Sequence, residues 1–286
     1  MRLSVDHVTG FEYASPVRAS YNEARLTPLT SARQSVWSSR VTIDPSPWSY
    51  TYTDYWGSQV TAFELHDQHR TLSVQGFSVV ETRDPEHDWA HSPQVFSDEY
   101  DFARLHSDAL MDRHAELLVN ADRTRPPTEL AARTRQLAAA SDPRQTVLDV
   151  CEVISDHLEY QGGSTQVQST AAEAWQGGRG VCQDFAHLAI GALRTVGIPS
   201  RYVSGYLHPR GTTAEIGSEV EGESHAWFEF WCGQWYAYDP SSRRVPGEAY
   251  VRIGHGRDYL DVAPLRGTYA GGESEMFVTV TLTRLG

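Results

Sequence analysis

The chain contains no lysine: all 24 of its basic residues are arginine, set against 37 carboxylates for a formal charge of −13. That balance argues against nucleic acid or an anionic membrane as a partner, because both need clustered cationic side chains to displace counterions. An enzyme that passes acyl groups to lysine amines would spare itself by having none. A genomic bias toward arginine explains the same absence and agrees with the Ala, Arg and Gly content. Cysteine is scarce as well. The three thiols, at 151, 182 and 232, are odd in number and widely spaced, which fits neither a disulfide framework nor a zinc pattern and agrees with a reducing compartment. No stretch approaches 18 apolar residues, and the opening MRLSVDHVTGFEY has neither a basic nor an apolar signal region. A cytoplasmic protein is therefore expected. His87 and His91 have metal-ligand spacing if helical, but no third ligand lies nearby, so no metal site is expected from them.

With 286 residues and 40% hydrophobic content, there is ample material for a buried core in one or two domains. Residues 1–82 read as β-structure, with strands over 3–13, 35–43, 59–65 and 71–82 separated by Pro- and Ser-bearing turns. Residues 83–127 read as a linker rich in acidic and His residues, with a helix somewhere in 98–119 and Pro126-Pro127 at its end. Residues 128–286 read as a second domain with a C-terminal tail. Its first clear helix is capped by Asp142, starts on Pro143, and turns Val147, Leu148, Cys151, Ile154 and Leu158 inward. Cys151 is thus core. Residues 200–206 and the terminal MFVTVTLTRL read as strands, and 210–222 as a mobile loop.

The most informative run is GRGVCQDFAHLAIGAL, residues 178–193. Phe185, Leu188, Ala189, Ala192, Leu193 and Val196 recur at offsets of three and four, predicting an amphipathic helix that stops at Gly197 and Pro199. Cys182 stands at its start, where unpaired N–H groups and the helix dipole favour a thiolate. Asp184, in the same first turn, is explained by the dipole alone and should point away from the thiol. His187, five residues along, points away from the Cys182 face, which favours a surface or structural role.

The segment ESHAWFEFWCGQWYAYDPSS reads as a hairpin of aromatic strands. A three-residue loop at Trp231-Cys232-Gly233 predicts Phe230 facing Gln234, Trp227 facing Ala237, and His225 directly opposite Asp239. A one-residue slip would send His225 and Asp239 to opposite faces.

Cysteine at a helix start, then histidine and aspartate on neighbouring strands, in the blocks GVCQDFAHL, RYVSGYLHP, ESHAWFEFW and YAYDPSS, resembles the transglutaminase-like branch of the papain-type cysteine enzymes. The opening LSVDHVTGFEYASPVRASYNEARLTP resembles the β-rich N-terminal domain of a bacterial subfamily, and GRDYLDVAPLRGTYAGG its tail. The resemblance implies an α+β fold: a β-sandwich-like N-terminal domain, then a papain-like core with the nucleophile helix on an antiparallel sheet. It also implies a Cys182, His225, Asp239 triad, acyl-enzyme chemistry, and no metal or organic cofactor. No acidic calcium loop and no extra C-terminal β-domains are visible, which argues against calcium-activated crosslinking. Acyl transfer needs an oxyanion site; the Cys182 N–H is one donor, with Tyr160 or Trp175 as candidates for a second. Trp227, Trp235 and Tyr206 are candidate cleft walls. The expected activity is a cysteine amidohydrolase or peptidase acting on a peptide or small amide. An acyltransferase with an amine acceptor and a catalytically silent peptide-binding module remain alternatives. Oligomeric state is unreadable.

Overall fold

A computed structural model describes residues 1–92, 101–222 and 224–286. Its strands are β1 (Arg2–Ala24), β2 (Gln34–Asp44), β3 (Trp48–Thr53), β4 (Gln59–Leu65) and β5 (His69–Thr82). After the short helices α1 (Phe102–Leu105) and α2 (Asp108–Arg113) come α3 (Thr128–Ala140), α4 (Pro143–His157), β6 (Glu159–Tyr160), α5 (Ala171–Gly177), β7 (Arg179–Gly180) and α6 (Cys182–Arg194). The chain continues through β8 (Ser200–Leu207), β9 (Glu219–Gly222), β10 (Ser224–Trp231), β11 (Trp235–Tyr238), β12 (Tyr250–Gly256), α7 (Tyr259–Val262), β13 (Leu265–Ala270) and β14 (Ser274–Arg284).

The expected strands are present, but β1 runs eleven residues beyond Tyr13 to Ala24. Its first half pairs with β5 and β14, and its end with β4 and β13. Pro16 has no N–H to give a ladder, and the β1–β5 register breaks between Glu12 and Val17, which lets the long strand change partners. The two halves of the curled sheet enclose Tyr13, Val17, Leu26, Phe63, Leu72 and Val74. The expected linker helix is split into α1 and α2, and residues 98–100 of that expectation lie outside the described residues.

The second sheet runs β11-β10-β8-β12. Helix α6 packs on β10 and β8, and α3, α4 and α5 cover it. The amphipathic reading of α6 is therefore corrected: every residue from Cys182 to Arg194 is buried. Its second face, which carries Gln183, Asp184, His187, Ile190 and Arg194 beside the small Ala186 and Gly191, is covered rather than solvated, and a Cβ at Gly191 would fall 1.6 Å from the Thr124 carbonyl oxygen. Its few polar side chains are held internally; Arg194 donates to the carbonyls of Ser200, Val119 and Arg257. His187 is wholly buried, which leaves the structural reading and removes the surface one; its Nε2 accepts from the Tyr259 N–H at 3.2 Å. Helix α4 is capped as expected, Asp142 accepting from the Gln145 N–H at 2.8 Å.

The C-terminal segment departs from its expected grouping with residues 128–286. Strand β13 pairs with β1, and β14 lies between β1 and β9 in the eight-stranded sheet. The reason is its alternation: Val280 and Leu282 point inward to meet Leu3, Val5, Tyr206 and Val251, filling the space between the two sheets. β9 also occupies the end of the stretch expected as a loop.

Candidate active site

The two-residue parallel ladder Glu159↔Arg179 and Tyr160↔Gly180 fixes the chain just ahead of the nucleophile candidate. Val181 is the extended N-cap of α6, and Asp184 turns back to accept from its N–H at 2.8 Å. The same carboxylate oxygen accepts from Thr165 Oγ1 at 2.5 Å. Asp184 thus points into the cap and the 161–170 loop. Burial outweighs these hydrogen bonds and raises its pKa. Cys182 occupies the first helical position, 8% exposed.

The β10–β11 hairpin differs from the predicted register. Observed pairs are Phe228↔Tyr238, Glu229↔Ala237, Phe230↔Tyr236 and Trp231↔Trp235, around a loop of Cys232, Gly233 and Gln234. Gly233, with φ of 86°, sits in the middle of that loop. The slip is two residues, so it preserves the faces, and His225 meets Asp239 from a diagonal position rather than directly opposite. The pair forms nonetheless: His225 Nε2 lies 2.7 Å from Asp239 Oδ2.

Asp239 is fully buried and surrounded by donors. Its Oδ1 accepts from the Ser241 N–H at 3.0 Å, Ser241 Oγ at 2.7 Å and the Ser242 N–H at 3.3 Å. Its Oδ2 accepts from Ser242 Oγ at 2.7 Å and the Tyr250 hydroxyl at 2.8 Å, besides His225. Burial would raise its pKa, but the hydrogen bond and charge of His225 and the two serine hydroxyls hold it below the usual carboxylate range. For His225, burial works toward the neutral ring. Hydrogen bonds to Asp239 on one side and the Cys182 sulfur on the other, with their charges, outweigh burial and raise its pKa. With Nε2 engaged by Asp239, Nδ1 is the nitrogen that meets the sulfur. The arrangement can hold an imidazolium beside a thiolate.

Cys182 and His225 open into a cleft of two adjoining lobes, of about 370 Å³ and about 650 Å³. Tyr160, Gly222, Ser224, His225 and Val278 line both. Cys182, Tyr202 and Val280 belong to the first lobe, and Glu221, Ser241 and Thr279 to the second. One wall is therefore built by β9 and β14 of the N-terminal sheet.

Of the three tentative oxyanion or cleft residues, Tyr160 alone lines the cleft, 48% exposed. Trp175 is corrected to a packing anchor: it stacks on His157 with centroids 3.7 Å apart and donates its indole N–H to Glu129. Trp227 is corrected as well. It is buried edge-on to Tyr250 and flanks the His225 ring at 6.3 Å without lining either lobe. Of the other expected walls, Trp235 stacks under Arg201, and Tyr206 fills the inter-sheet core. Sequence reasoning did not single out Ser241, Ser242 and Tyr250. The serines were legible, since Asp-Pro-Ser-Ser is a turn whose aspartate caps its own backbone; Tyr250 arrives from a separate strand with no local signal.

A helix that starts on a cysteine and packs on an antiparallel sheet, with histidine and aspartate at that sheet, is the papain-like fold. Residues 131–240 match the transglutaminase-like superfamily, and residues 3–81 match the bacterial transglutaminase-like N-terminal region. An uncharacterized protein of Mycobacterium leprae is 45% identical over 99% of both chains. Another from Mycobacterium bovis is 31% identical over 96% of this chain and 90% of its own. A Cytophaga hutchinsonii protein, provisionally assigned as a cysteine protease, has the same fold: TM-score 0.69 at 20% identity, over 99% of this chain and 97% of that one. The chain belongs to the transglutaminase-like superfamily.

Proposed function

We propose that the protein is a cysteine amidohydrolase or peptidase, with Cys182 as nucleophile, His225 as acid and base, and Asp239 as the group that orients the imidazole. The observation that carries this reading is that Cys182 and His225 line one cleft while the buried Asp239 holds the far side of the His225 ring at 2.7 Å. The thiolate attacks the amide carbonyl carbon, and the carbonyl oxygen becomes an oxyanion held by the Cys182 N–H and by Tyr160. The C–N bond then breaks as His225 gives its Nδ1 proton to the departing amine, leaving a thioester on Cys182. Water attacks the thioester, His225 takes the water's proton, and the C–S bond breaks to release the acid and restore the thiolate.

The second lobe favours an alternative end to the cycle. It reaches His225 without involving Cys182 and carries the Glu221 carboxylate, an arrangement suited to a cationic amine acceptor in place of water. Ammonia release from glutamine-bearing peptides, measured with and without an added primary amine, tests both readings. Hydrolysis predicts release unaffected by the amine; acyl transfer predicts an amine-dependent rise and an amide product. No turnover of any peptide or amide in a broad library, with Cys182 intact, would overturn the enzymatic reading in favour of a silent peptide-binding module.

A further inference from the structure

The face of β10 that carries His225 continues through Trp227 to Glu229, where a separate pocket of about 220 Å³ opens between the catalytic sheet and the 31–34 turn. Glu229 is buried and shared by two arginines. Arg201 Nε donates to its Oε2 at 2.6 Å and Arg252 Nη1 to its Oε1 at 2.8 Å. A third, Arg33, lines the same pocket, and among the described residues its guanidinium donates only to the Pro246 carbonyl, at 3.4 Å. At the rim, Arg83 pairs with Glu81 at 3.7 Å, while Asp84 accepts from the Glu248 N–H at 2.8 Å. Three guanidiniums against Glu229 and Asp84 leave the pocket positive in a chain whose net charge is −13.

The cations are held in place for a ligand. Arg201 lies flat on Trp235, 3.8 Å from the ring centroid, and the Arg252 backbone is pinned from both sides by the Gln34 amide, at 2.8 Å and 2.7 Å. Arg252 Nε is buried and meets no acceptor among the described residues. The outward charge of the pocket therefore rests on Arg33, whose guanidinium meets no carboxylate among the described residues, with the paired Arg201 and Arg252 behind it. The volume suits a tetrahedral oxyanion with a small organic body.

We propose that this pocket is a binding site for a small phosphate-class oxyanion, held by Arg33 and favoured by the Arg201 and Arg252 charges beside it. The test is isothermal titration of the full chain with inorganic phosphate, against sodium chloride at matched ionic strength. A parallel arm with glycerol phosphate tells free phosphate from a monoester. One-to-one binding of phosphate or its monoester is expected. Arg33→Gln should weaken it by about tenfold or more, because a charged hydrogen bond is lost. Arg70→Gln, at the far end of β5, should leave it unchanged. Arg33 stands at an exposed turn, so an unshifted melting curve will show that the variant is folded. Flat isotherms in both arms, or an Arg33→Gln affinity equal to that of the unmodified chain, would overturn the proposal.

Discussion

Cys182 differs from the other thiols both in exposure and in surroundings: it is 8% exposed and lines the cleft beside His225. Cys151 and Cys232 are each 1% exposed, and burial pushes both thiols up, beyond the range where a thiolate forms near neutrality. Chloroacetamide is therefore expected to modify Cys182 first, and the His225→Ala variant should lose that preference; peptide mass analysis reads both. Comparable labelling of all three cysteines would remove the nucleophile assignment. The imidazole gives a second residue-scale prediction. The His225 pKa is raised above its unfolded value of about 6.5, so its contribution to stability is complete below that pH and is lost as pH rises through the folded value. The Asp239 pKa is depressed, so its contribution is complete above about pH 3.9 and is lost as pH falls through the folded value. In imidazole NMR the His225 titration midpoint should lie above the ordinary value and fall in Asp239→Asn. An unchanged midpoint in that variant would separate Asp239 from the basicity of the ring. Tyr250→Phe removes one donor from a charged, buried acceptor, at an expected cost of about 1.5–3 kcal/mol in stability. It should lower kcat more than it alters KM.

Among the elements, α6 and the β10–β11 hairpin show what a linear pattern can and cannot carry. The position of Cys182 at a helix start was legible because a glycine-flanked beginning and a glycine-proline stop are local signals. The burial of every face of that helix was not legible, since polar residues such as Gln183, His187 and Arg194 read as a solvated face and their cover comes from α3, α4 and α5. The hairpin was legible in its faces and misjudged in its register. Side-chain direction repeats every two residues, so an error of two leaves the chemistry in place while moving Asp239 from opposite to diagonal. Strand β14 was legible as a strand from its alternation, but its neighbours were not, because β1 lies more than 260 residues away. The cleft wall was lost with it. Trp227 and Trp175 were singled out as large aromatics near the motif; they instead anchor packing.

For the whole molecule, Leu3, Val80, Tyr206, Val251 and Leu282 form one core contributed by both sheets. Calorimetry should therefore give a single unfolding transition rather than one for each sheet. Leu282→Ala, at a fully buried site, should lower stability by about 2–5 kcal/mol and shift that whole transition. Two resolved transitions, with only one moved by the substitution, would show that the sheets unfold independently.

Strand β1 also carries a consequence for how the molecule is made. Along the chain β1 meets β4 and β5 by residue 82, whereas β14, the strand on its other edge, begins only at residue 274. Until β14 arrives, β1 presents an open row of peptide groups, and the Cys182 cleft lacks one side. Assembly in chain order thus leaves Cys182 without its enclosing wall until β14 docks by a long-range pairing, the kind that carries the highest loop-closure cost.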